Sequence, residues 1–247
     1  MGPLDAVAAA SGSLYLVTMT ALGVRLVFLS RRSHAKPELW LAVAFLAGGS
    51  LGASAEVVGT RFLNESHPVA AIWVVALGKV SSAIGLRFYD YFVWRVFRPG
   101  ARWAGALFVA LAVGAAAAIA GLVASGSLAS GAASAWFWLE FGVRVASPIW
   151  LATESLRYWS QMRRRSAIGL ADPLVTDRFR LWATGALAGL VMLFCSVPPH
   201  LVAEDHPLLS ASLAILGVSG LAATAGYWFA FFPPAWYRER VKAAARA

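Results

Sequence analysis

Glu140, Arg144, Ser147 and Glu154 fall at spacings of four, three and seven residues inside one long apolar run. At about 100° per residue they lie within roughly 40° either side of Glu140 on a helix. One face of that helix is therefore a polar stripe, and it must look into a bundle rather than at hydrocarbon. Glu140 and Arg144 form an i,i+4 pair with the acid first, the favourable order, and Pro148, next to Ser147, frees a backbone carbonyl near mid-span. Two kinds of chemistry fit the stripe. It is either an ion pair that fixes helix rotation or one wall of a solvated site for a ligand or an ion.

Lys79 is the only lysine inside an apolar run. It follows Pro68 by eleven residues, about 16 Å along a helix and close to the middle of a bilayer. Ser82 and Asp90 lie near its face, and Glu56 and Glu140 are its expected partners. The reading is an outer-half ligand site made of Glu56, Lys79, Glu140 and Arg144, with His200 at its mouth and Trp73 as apolar lining. A second group, Arg25, Arg87, Asp90, Glu154 and Arg157, with Tyr89 and Tyr91, is expected toward the cytoplasmic side. It reads as a latch between helices or as a static tie.

The surrounding chain decides how these charges are to be understood. Of 247 residues, 60% are hydrophobic and 13% charged, where an ordinary soluble domain has about a quarter charged. The mean hydropathy of +0.67 excludes a soluble domain of this size. The expected fold is all-α, a polytopic bundle of seven transmembrane helices near 7–29, 38–60, 69–96, 102–124, 134–160, 179–202 and 208–232. Residues 1–234 form that domain, and 235–247 are a basic amphipathic tail expected to lie along the inner leaflet as an interfacial helix. The first run lacks a basic n-region and reads as a span rather than a cleaved signal peptide. With seven spans, no room is expected for a soluble catalytic or DNA-binding domain.

Sixteen of the 21 basic residues fall in loops on one side, and Arg61 alone in the loops opposite. The positive-inside rule then puts the N-terminus outside and the C-terminus in the cytoplasm. This accounts for the net charge of +9 without nucleic acid. Arg25, Lys79, Arg87 and Arg144 remain inside spans, balanced in sign by Glu56, Asp90, Glu140 and Glu154. Eighteen arginines against three lysines, with abundant alanine, suggest a GC-rich bacterial genome and hence a bacterial inner membrane.

His34 is assigned to the cytoplasmic side, and His67, His200 and His206 to the outer surface. No HxxxH or HExxH pair occurs, so no metal site, cofactor or zinc hydrolase chemistry is expected. Neither GxSxG nor a phosphate loop is present, and the chain is not read as an enzyme. Cys195 stands alone in an apolar run, which leaves no disulfide framework. Glu65-Ser66-His67-Pro68 and Glu204-Asp205-His206-Pro207 resemble each other, and Leu77-Gly78 and Leu216-Gly217 follow at the same offset. A weak parallel three-one-three repeat and a shared helix-start signal both explain this.

Gly23-Val24-Arg25-Leu26 before Arg31-Arg32, Pro37-Glu38-Leu39, Gly169-Leu170-Ala171-Asp172-Pro173 with Arg178-Phe179, and Phe231-Phe232-Pro233-Pro234-Ala235-Trp236-Tyr237 form a set. On these segments the chain resembles an uncharacterised family of bacterial seven-transmembrane-helix proteins. The resemblance covers most of the chain and implies the seven-helix fold, with no activity attached. The layout is also similar to that of rhodopsins and receptors. Yet 208–232 contains no lysine for retinal, and Arg87-Phe88-Tyr89-Asp90 is not an acid-Arg-Tyr signature. A chromophore on Lys79 would require an unusual third-helix arrangement.

The expected function is a seven-helix sensor or receptor-like protein. It would bind a small, partly polar ligand at the outer-half charges and signal through the basic loop 157–180 to a cytoplasmic partner protein. The alternatives are a small-solute or ion transporter using the same charges and a structural or assembly subunit of the membrane.

Overall fold

Asp172 and Pro173 begin a helix in the way their chemistry requires: the Asp172 carboxylate accepts from the Leu174 N–H at 2.8 Å, and Pro173 occupies the first turn, where no N–H is needed. The sequence pattern placed this span from residue 179. The structure extends it back to the cap, so the span begins at Pro173. Ser134 caps another helix by accepting from Phe137 N at 3.3 Å. His206 caps a third through Nδ1, which accepts from Leu208 N at 3.2 Å.

The computed structural model describes residues 3–34, 36–63, 66–130, 133–202 and 206–244. It is 89% helix, with no strand among the described residues. We label α1 Pro3–Ser33, α2 residues 36–63, α3 Pro68–Phe97, α4 Arg102–Ala124, α5 Ala135–Ser166, α6 Pro173–Cys195, α7 Pro207–Phe231 and α8 Ala235–Ala244. A single turn, Ser127–Ser130, follows α4, and the 3₁₀ turn Pro198–His200 follows α6. Six of these stretches, in α1, α2, α3, α4, α6 and α7, are long and apolar enough to cross a membrane. The chain is thus a multi-pass membrane protein. Large side chains such as Phe28 (65% exposed), Val113 (63%) and Val218 (67%) face outward, as expected where lipid is the solvent.

Helices α1, α2, α3, α5, α6 and α7 touch in that order, and α7 returns to α1, closing a ring. Outside the ring α4 stands against α3 and α5. Side-chain contacts between α3 and α5 join Lys79 to Glu140, Arg87 to Ser147, Asp90 to Ser147, Arg98 to Glu154 and Phe97 to Tyr158. Their sequence separations stay between 56 and 61, so the two helices run side by side in the same direction. The polar stripe of α5 lowers its hydropathy, yet α5 accompanies α3 over this whole length.

The second span departs from the expected uniform α-helix. Residues Ala44–Gly52 and Val58–Leu63 are π-helical, flanking the α-helical turn Ala53–Val57. Gly48 and Gly52 on α2 face Gly78, Ser81 and Gly85 on α3, and the backbones nearly touch. A Cβ on Gly85 would collide with the Gly48 backbone, and one on Gly78 would stand 2.8 Å from the Glu56 nitrogen. Ser81 Oγ donates to the Ala47 carbonyl at 2.8 Å across this seam. Small residues permit such contact where the hydrophobic effect between helices is absent.

The three-one-three repeat is not supported by its own signature. His206 caps α7, whereas His67 makes no side-chain cap on α3, and Glu65, Glu204 and Asp205 lie outside the described residues. At the end of the bundle that carries most of the arginines, hereafter the basic end, Tyr237 of α8 donates to Asp177 of α6 at 2.5 Å. Arg180 pairs with the same carboxylate at 2.6 Å. Burial and then the bond to Asp177 hold the Tyr237 hydroxyl above its usual range. Arg246 of the tail lies outside the described residues.

Substituting Gly85→Ala should cost about 1–3 kcal/mol by forcing α2 and α3 apart, seen as a lower melting temperature in detergent. Gly142→Ala, where a Cβ meets nothing within 4 Å, should be neutral or stabilise slightly. Equal behaviour of the two variants would contradict the close seam.

Candidate functional site

The α2–α3 seam places Glu56 beside Ser82, which donates to Glu56 Oε1 at 2.9 Å. From the parallel α5, Arg144 Nη1 reaches Glu56 Oε2 at 3.6 Å and Glu140 Oε1 at 3.1 Å. Lys79 Nζ stands 3.4 Å from the same Glu140 oxygen. Four charges from three helices thus meet in one alternating cluster near the end of the bundle opposite the basic one. Their side chains keep 10–26% exposure, so the cluster reaches the edge of the protein. Its ties are longer than the 2.7–2.9 Å usual for charge-assisted bonds, and Arg144 Nε is buried without a partner.

Toward the basic end along the same two helices, Arg87 Nη2 pairs with Asp90 Oδ2 at 3.0 Å and donates to Ser147 Oγ at 2.9 Å. Ser147 Oγ in turn donates to Asp90 Oδ2 at 3.1 Å. Asp90 and Ser147 are wholly buried. A cavity of about 10 Å³, lined by Lys79, Ser82, Arg87, Glu140 and Arg144 among others, separates this triangle from the four-charge cluster. That is at the lower limit for one water molecule and far too small for a chromophore on Lys79.

The expected second network of five residues divides. Only Arg87 and Asp90 belong together. Glu154 pairs with Arg98 at 2.7 Å, a residue the sequence placed in a loop and the structure places at the C-terminal cap of α3. Arg25 sits over the Phe232 ring, 3.8 Å from its centroid, and so joins α1 to the end of α7. Arg157 is exposed and has no ion pair among the described residues; it lies about 60° around α5 from Glu154, off the stripe.

A second, roomier space lies elsewhere. A chamber of about 310 Å³ occupies the middle of the six-helix ring. Its walls carry Tyr15 and Met19 of α1, Phe45, Gly48 and Gly49 of α2, Gly85 and Tyr89 of α3, Pro148 of α5, Gly189 and Met192 of α6, and Tyr227 of α7. Glycines make the room and methionines give adaptable walls. Ser82 and Leu86 border both the chamber and the small cavity, so the charge cluster adjoins the chamber directly. At the basic end the chamber stands on aromatic packing. The Tyr89 and Tyr227 hydroxyls are 3.0 Å apart, Phe45 packs on Tyr227 and Phe231, and Trp182 packs on Phe92, Phe97 and Phe231.

Two expected site residues are not part of these spaces. Trp73 is 69% exposed and faces away from the bundle; six residues from Lys79, it lies about 120° around the helix from it. His200 is exposed and lies against the Phe137 ring, centroids 4.7 Å apart, without lining either cavity. The chamber itself was absent from the sequence reading. Its signal was the set of mid-span glycines and tyrosines on alternate helices, but that set marks a cavity only once the ring order is known.

No family model, curated protein or solved structure matches the chain, so a functional reading stands on the geometry alone.

Replacing Asp90 by Leu leaves Arg87 buried without its counter-charge and should destabilise the fold by roughly 3–5 kcal/mol. The double variant Arg87→Met, Asp90→Leu should recover most of that loss. Thermal unfolding of the three proteins measures it, and additive losses would show that the two residues are not coupled.

Proposed function

We propose that the chain is a seven-crossing membrane sensor that binds a small, largely apolar ligand in the central chamber. The N-terminus lies outside and the C-terminus in the cytoplasm, in keeping with the basic residues gathered at one end, and a bacterial inner membrane suits the composition. The parallel course of α3 and α5 supports α5 as the seventh crossing, with α4 returning between them. The observation that carries the function is the chamber of about 310 Å³ at the centre of the ring, within the range of small-molecule sites. The four-charge cluster, first read as the ligand site itself, becomes the polar border of that site.

Transport by the same charges is the second reading. The deep aromatic packing under the chamber speaks against a through-path and favours a site reached from one side. A purely structural subunit has no use for the chamber. At the basic end, Arg163, Arg164 and Arg165 are exposed, and beside them Ile168 and Leu170 project 70% and 74% exposed. An apolar tip beside a cationic helix end suits the reporting surface for a cytoplasmic partner in the 157–180 segment.

Orientation is tested in a Cys195→Ser background. An impermeant maleimide should label Leu201→Cys from outside intact cells and Ile168→Cys only after permeabilisation, and the reverse pattern would overturn the topology. For the function, single-chain amphiphiles should raise the melting temperature of the purified protein. Gly189→Leu, which fills the chamber from a position where a Cβ meets nothing within 4 Å, should abolish that response. Solute flux in proteoliposomes that depends on Glu140 would establish the transporter instead.

A further inference from the structure

We infer that the ligand of the chamber is a single-chain amphiphile with a carboxylate or similarly anionic head, its chain in the chamber and its head on Arg144. This deepens the sensor reading and rests on it. The chamber walls are hydrocarbon, thioether and aromatic carbon, with a few hydroxyls, so the bulk of the occupant is apolar. Charged groups adjoin the chamber at the border it shares with the small cavity. Pro148 lines the chamber, and Arg144 lies one turn before it on the same face of α5. Gly48 and Gly49 line it from α2, and Glu56 lies about two turns further along that helix. Ser82, on the chamber wall, is hydrogen-bonded to Glu56. The charged groups at this border are therefore Glu56 and Arg144, which stand behind Ser82 of the chamber wall.

The sign of that head follows from which hydrogen-bonding capacity is unspent. Glu56 has both oxygens engaged, Oε1 by Ser82 and Oε2 by Arg144. Arg144 serves two carboxylates through the single nitrogen Nη1, at 3.1 and 3.6 Å, while its Nε is buried and partnerless. Lys79 reaches the same Glu140 oxygen only at 3.4 Å. The buried atom of this cluster left without a partner is the donor Arg144 Nε, so the incoming group is an acceptor. A planar anion takes two prongs of a guanidinium at once. An alcohol would satisfy one N–H without its charge.

The test uses the full chain in phosphatidylcholine nanodiscs, with thermal unfolding followed in decanoate, decanol and decyltrimethylammonium at equal membrane loading. Decanoate should stabilise most and the cation least. Arg144→Gln should weaken decanoate by about tenfold or more, the worth of a charge-assisted hydrogen bond, while leaving decanol unchanged. Gly189→Leu should remove the response to both. Equal responses to decanoate and decanol, or a preference for the cation, would overturn the anionic head and leave the chamber as the binding site. No response to any probe would overturn the sensor reading beneath it. The three-probe comparison on the unaltered chain decides between these outcomes whether or not Arg144→Gln folds.

Discussion

A charged side chain inside a bilayer costs on the order of 3 kcal/mol even by the mildest scale, and this chain carries several on α3 and α5 alone. Lys79, Arg87, Asp90, Glu140, Arg144 and Glu154 cannot face lipid. The two helices must therefore turn these faces toward each other, and the ion pairs between them fix the rotation and register of both. Each tie sits at nearly the same sequence offset because the two helices are parallel. Once α3 is fixed in this way, its opposite side is committed too. Gly78, Ser81 and Gly85 then face α2, and the glycine seam brings Glu56 into reach of Arg144.

The chamber is a consequence of the same packing. Where α2 and α3 approach closely, their large side chains have no place, and Gly48, Gly49 and Gly85 leave backbone as wall. The π-helical stretch Ala44–Gly52 coincides with this region, a geometry that often marks functional sites. Pro148 contributes from α5 at the same level, where its missing N–H leaves the Arg144 carbonyl without its usual helical donor. Space, an irregular backbone and a border of loosely held charges thus occur together, which is uncommon in a bundle built only for stability.

The all-helical architecture was legible because hydrocarbon-length apolar runs and punctuating Pro, Gly and Arg are properties of single segments. Arg102–Ala124 matches the expected limits to the residue, and the meeting of Glu56, Lys79, Glu140 and Arg144 followed from charge balance and helical spacing. What was not legible depends on partners. Trp73 read as a deep lining residue from depth alone, yet its side of α3 faces outward. Arg25 found an aromatic ring rather than an acid, since Phe232 at the end of α7 lies nearer than Glu154. The π-turns of α2 arise from contact with α3 and leave no mark in periodicity. Ring order decided all three.

The two ends of the chamber differ in kind, and the difference bears on mechanism. At the basic end, Phe45, Tyr227, Phe231, Trp182 and Phe97 interlock through edge and tilted contacts. Opening there would require several buried rings to move together, each losing dense packing. At the other end a single long ion pair, Arg144 to Glu56 at 3.6 Å, joins α5 to α2, and an incoming carboxylate can take the place of Glu56 on the guanidinium. A head group that takes Arg144 from Glu56 would release α2 from α5 while leaving the aromatic base intact. Since α5 runs on past Pro148 to Ser166 and the exposed arginines of the basic end, a change at Arg144 acts on the same element that carries that surface. The displaced Glu56 retains Ser82 as a donor to Oε1 and gives up only the 3.6 Å contact of Oε2.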